Sequence, residues 1–97
     1  MKAKSLVRKI NQLGGTAEII SEERTGHNDK KRMYHKVLGT LNGYDVEMID
    51  LDSSFYTIRR ISQRGAYDPG SDYNPGGWIF CHRLNELQYY AAEQITA

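Results

Sequence analysis

Asn42-Gly43 stands between two runs of alternating apolar and polar residues, 33–41 and 44–51. Asn and Gly both accept the positive φ that a type I′ turn needs at its central positions, and that turn joins twisted antiparallel strands. A two-residue turn leaves the register no freedom. Leu41 must face Tyr44, Gly39 face Val46, Val37 face Met48, and His35 face Asp50. These residues share one mostly apolar face, which is expected to point inward. The opposite face carries Lys36, Leu38 and Thr40 against Asp45, Glu47 and Ile49. Turn chemistry and alternation specify the same hairpin independently.

The flanking segments extend this hairpin. In residues 3–13, Ala3, Leu6, Val7, Ile10 and Leu13 fall at helical spacing, and Gly14-Gly15 supplies the stop. Residues 16–22 alternate as a strand rich in β-branched side chains. Residues 23–32 are polar and hold the turn formers Gly26-His27-Asn28-Asp29, so an exposed loop is expected. Asp52-Ser53-Ser54 turns into a strand over residues 55–61. A three-residue turn there would set Leu51 opposite Phe55, Met48 opposite Ile58 and Glu47 opposite Arg59. Residues 65–77 contain both prolines and four of the nine glycines, which predicts a long loop. A short apolar strand over residues 77–81 and a helix over roughly residues 83–94 close the chain. The expectation is a single α+β domain over residues 1–97 in the order α-β-β-β-β-β-α. An antiparallel sheet of four to five strands would carry an N-terminal and a C-terminal helix on one face.

Composition narrows the function classes. A formal charge of +1 creates no global field to draw the chain onto nucleic acid or an anionic membrane. The single cysteine, Cys81, excludes an intramolecular disulfide and a multi-cysteine zinc site. The N-terminal residues lack the apolar run of a signal peptide, and no stretch approaches the roughly 18–20 apolar residues that span a bilayer. A soluble, cytoplasmic protein without membrane contact is expected.

No constellation fixes a reaction. Cys81-His82 suggests a thiol and a base, but neighbours on a strand point to opposite faces. The expected role of Cys81 is packing. His35 opposite Asp50 would resemble part of a triad, yet no nucleophile is placed to complete it, so a structural hydrogen bond is expected. His27, Asp29, His35 and His82 lack ligand spacing. Asp68, Gly70, Asp72 and Asn74 lack the residue order and closing glutamate of a calcium loop. No metal, cofactor or enzymatic activity is expected.

Binding is the remaining class. Tyr67, Asp68, Asp72, Tyr73 and Asn74 lie in the long loop just before Trp78, the only tryptophan, and tyrosine is favoured at protein interfaces. The expectation is a small non-enzymatic protein-interaction module, of the size common among phage and mobile-element inhibitors and accessory proteins. Its partner would be a protein contacted by those five residues. Outward apolar residues such as Ile20, Leu38 and Leu51 could instead be covered in a homodimer. The alternative is a nucleic-acid-binding protein using a basic patch of Lys30, Lys31, Arg32, Arg60 and Arg64. The helix–strand–strand–strand–helix order is shared with double-stranded-RNA-binding domains. Their basic grip should fall over residues 81–87, which here hold one arginine and no lysine.

Overall fold

The chain begins with helix α1 (Ala3–Gln12), followed by strands β1 (Thr16–Thr25), β2 (Lys31–Leu41), β3 (Tyr44–Ile49) and β4 (Tyr56–Arg60). A 3₁₀ turn (Ile61–Gln63), strand β5 (Ile79–Cys81), a second 3₁₀ turn (Leu84–Glu86) and helix α2 (Leu87–Ala92) complete it. The computed structural model describes residues 2–26, 28–63 and 77–93. Five antiparallel strands form one open sheet in the order β1-β2-β3-β4-β5. This is the α+β fold the alternation and helical stripes predict.

Each element has a local cause. α1 buries Ala3, Leu6 and Ile10. It ends in a Schellman motif, with Gly14 at φ 93°, Gly14 N–H on the Asn11 carbonyl (3.1 Å) and Gly15 N–H on the Ile10 carbonyl (2.9 Å). Asn42 and Gly43 have φ of 49° and 79°, so the β2–β3 turn forms as its sequence demands. Leu41 pairs with Tyr44, Gly39 with Val46 and Val37 with Met48, all in the predicted register. Val37, Leu41, Tyr44, Val46, Met48, Tyr56 and Ile58 form the inner face, which packs with Leu6, Ile10, Cys81 and Leu87 into one core. Both helices cover that face. The outer face carries neither.

Several expectations are corrected. β1 runs to Thr25 and β2 starts at Lys31, so residues 23–25 and 31–32 are strand where an exposed loop was expected. Arg24 faces Arg32 across that pair. The β3–β4 register is shifted by two residues from the prediction: Val46 faces Ile58 and Asp45 faces Arg59. The cause lies in the connection. Asp50 turns away at φ 71°, the Ser53 hydroxyl donates to the Ile49 carbonyl, and the Leu51 carbonyl accepts from Ala3 N–H (2.8 Å). Leu51 is therefore drawn beside the start of α1 and does not face Phe55. For the same reason His35 does not meet Asp50, because the β2–β3 ladder ends at Lys36 and Ile49. His35 instead shares a hydrogen bond with the Ser21 hydroxyl, Nδ1 to Oγ 2.9 Å. The closing helix is also split. Glu86 accepts from the N–H groups of His82 (2.9 Å) and Arg83 (3.1 Å), which caps a 3₁₀ turn before α2 begins at Leu87.

Candidate functional site

With both helices on the inner side, the outer face of the sheet presents side chains in rows that follow the register. One row runs Glu18, Leu38, Glu47, Thr57 and Phe80 across the five strands. The next runs Thr16, Thr40, Asp45 and Arg59, and it ends on Trp78. A third holds Ile20, Lys36 and Ile49. Because β5 follows the glycine-rich segment as a strand, Trp78 and Phe80 project from the same side while Cys81 turns in.

The middle of this face is a groove that includes Thr16, Leu38, Thr40, Asp45, Arg59 and Trp78 in its lining. The Arg59 guanidinium lies 4.3 Å from the centre of the Trp78 ring, and its Nε is 3.6 Å from Asp45 Oδ2. Both partners of that ion pair are mostly covered, at 17% and 14% side-chain exposure. Arg59 Nε is shielded from solvent and makes no hydrogen bond among the described residues. An arginine held over an indole gains cation–π attraction and is pre-ordered for contact. Beyond the groove Phe80 is 58% exposed, with Phe55 edge-on to it at 5.4 Å and also facing His82 at 6.2 Å. The sheet therefore ends in an open aromatic stripe of Phe55, Trp78 and Phe80.

Tyr67, Asp68, Asp72, Tyr73, Asn74 and Arg64 lie outside the described residues. The other basic residues do not gather. Lys30, Lys31 and Arg32 sit at the β1–β2 end, where Arg24 joins them, 5.3 Å over the Tyr34 ring and 3.0 Å from Glu22. Arg60 pairs in register with Tyr44, which faces Leu41 at the opposite end of β2. β2 has 11 residues, so at about 3.3 Å per residue these ends are roughly 33 Å apart. Arg60 is also engaged by Glu93, 2.6 Å away. Hydrogen bonds from Arg24 hold the Glu22 carboxyl below its ordinary range, with Lys36 adding to the effect.

Cys81 and His82 do not form a dyad. Cys81 is buried at 2% exposure, whereas His82 is exposed and its ring faces Phe55. Burial pushes the Cys81 thiol up, and the nearby Glu86 charge adds to this, which disfavours the nucleophilic thiolate. Among the described residues no group of three or more His, Cys, Asp and Glu side chains could hold a metal ion. No helix among them is long and apolar enough to cross a membrane.

Sequence reasoning missed the Arg59–Trp78 stack and the Phe55–Phe80 pair. The signal was available in the alternation of Trp78, Phe80 and His82, which puts all three on one side of a strand. No family model, no curated protein and no solved structure matches the chain.

Proposed function

We propose that this chain is a non-enzymatic protein-interaction module that binds a partner protein through the outer face of its sheet. The carrying observation is the aromatic end of that face, where the Arg59 guanidinium lies over the Trp78 ring and Phe80 stands half exposed beside Phe55. Tryptophan, tyrosine and arginine dominate interface hot spots because they combine large contact area with a polar handle. In the sequence, Tyr67, Asp68, Asp72, Tyr73 and Asn74 all fall within the eleven residues that precede Trp78. A cytoplasmic inhibitor or accessory role of the phage or mobile-element type suits a chain of this size.

Affinity capture from the native host, with the bound protein identified and its affinity measured against salt, tests this. Phe80→Ser and the Tyr67→Ala/Tyr73→Ala pair should each weaken binding at least about tenfold, the range of a lost hot spot. Lys30→Ala/Lys31→Ala/Arg32→Ala should leave it nearly unchanged. A steep linear fall of log affinity with log salt, abolished by the basic triple substitution, would move the function to nucleic acid.

A further inference from the structure

The two edges of the sheet are treated very differently. β5 is short, with 3 residues, whereas β1 offers 10 residues at the other edge. Natural sheets blunt long edges with proline, lysine or a bulge. β1 reads TAEIISEERT, without proline; its charges, Glu18, Glu22, Glu23 and Arg24, are of both signs and so admit only a partner strand that matches them, and its pairing with β2 runs unbroken from Thr16 to Thr25. Gly26 N–H bonds the Lys30 carbonyl at 3.0 Å, which makes the even-numbered residues of β1 the ones bonded to β2. The backbone N–H and C=O groups of Ala17, Ile19, Ser21, Glu23 and Thr25 are thereby aimed outward along the free edge.

We infer that this edge is a self-association surface, and that its occupant is β1 of a second copy, paired antiparallel about a two-fold axis at Ser21. The charges choose that occupant and register. With Ser21 opposite itself, Glu18 of one copy faces Arg24 of the other on the outer face, and the reverse contact repeats it. On the helix side Ile19 faces Glu23 of the other copy. Ile19 is 40% exposed and lies in a surface groove with Lys4, Val7 and Arg8 of α1, a helix without acidic residues. The incoming Glu23 is therefore set beside Lys4 and Arg8. A slip of two residues either way puts Glu18 opposite Glu22, or Glu22 opposite itself, and like charges directly opposite are unfavourable. This surface is separate from the aromatic end of the outer face, which the dimer leaves open.

Sedimentation equilibrium of the full chain over a micromolar concentration series tests it. The wild type should show a monomer–dimer equilibrium. Ser21→Pro removes one outward N–H and the exposed Ser21–His35 side-chain bond while keeping the backbone bonds to β2, so it should be monomeric with an unchanged circular dichroism spectrum. Glu18→Arg and Arg24→Glu should each weaken the homodimer about tenfold, since both symmetric pairs become like-charged. An equal mixture of those two variants should recover dimers, because every pair is again opposite in sign. A wild type that stays monomeric, a dimer that survives Ser21→Pro, or a mixture that does not recover would each overturn the inference.

Discussion

Asn42 does two jobs that its place in a turn suggests only in part. Its φ of 49° closes the β2–β3 hairpin, and its Nδ2 donates to the Tyr90 carbonyl (2.7 Å) and the Glu93 carbonyl (2.5 Å) at the end of α2. The side chain thus satisfies helix carbonyls that would otherwise lack a partner. Asn42→Gly keeps the turn and loses the bonds, so urea denaturation should register a loss of about 1 kcal/mol. Asn42→Ala keeps a Cβ in the left-handed region without the polar side chain that lets Asn adopt it, and should cost about 1–2 kcal/mol more than the Gly variant, which has no Cβ there. Equal losses would show that the turn conformation contributes nothing. Cys81 makes a second case. Because burial suppresses its thiolate, iodoacetamide at mildly alkaline pH should label the folded chain far more slowly than the urea-unfolded chain, by mass spectrometry. Labelling at equal rates would remove the packing role assigned to it.

Between elements, the close approach of α1 to the sheet depends on a residue without a side chain. A Cβ at Gly39 would lie 2.9 Å from both the Ala17 Cβ and the Thr16 carbonyl oxygen, and 3.1 Å from Ile10 Cδ1. Gly39→Ala therefore has to push β1 or α1 outward, and should destabilise by about 1–3 kcal/mol. Ile10→Val removes the Cδ1 contact, so in thermal or urea unfolding the double variant should lose less than the sum of the singles. Strict additivity would place the strain wholly against β1. A glycine inside a strand pattern is the sequence signature of such an approach, so this contact was open to reading. The β3–β4 register was not. Both the predicted and the observed pairing keep Tyr56 and Ile58 on the inner face and give Arg59 an acidic partner, Glu47 in one and Asp45 in the other. Local pattern cannot separate two registers that differ by two residues. The choice is made by Leu51 bonding to α1, a contact between residues nearly half the chain apart. The strand extension to Thr25 was hidden in the same way, because Glu23 and Arg24 have no apolar pattern and are held only by pairing to β2. Of the candidate site, the alternation of Trp78 and Phe80 was legible; the register that brings Arg59 under the indole was not.

Taken as a whole, the molecule spreads its cations over opposite ends of the sheet and gathers a different set of titrating groups where α2 meets β3, β4 and β5. Tyr44 lies edge-on to Tyr90 with ring centres 4.9 Å apart, and the Tyr44 hydroxyl donates to Glu93. Tyr56 faces Cys81 across β4 and β5 and donates to the Arg83 carbonyl at 2.8 Å. Burial is the leading cause that holds all four groups in their neutral forms: Tyr90 is pushed up to about 12, Tyr56 further still, and Tyr44 and Cys81 are both raised. The folded chain therefore keeps protons that the unfolded chain gives up, Cys from about pH 8.5 and Tyr from about pH 10. Stability from this cluster is complete below those values and drains away as pH rises toward the folded values, by roughly 1.4 kcal/mol per pH unit for each group ionised only in the unfolded state. The urea midpoint should be flat between about pH 7 and 8, then fall with increasing slope above about pH 9. Tyr90→Phe should make that fall shallower than in the wild type by about one group's share. A profile flat to pH 11, or equal slopes in Tyr90→Phe and the wild type, would show that the core ionisations do not govern alkaline stability.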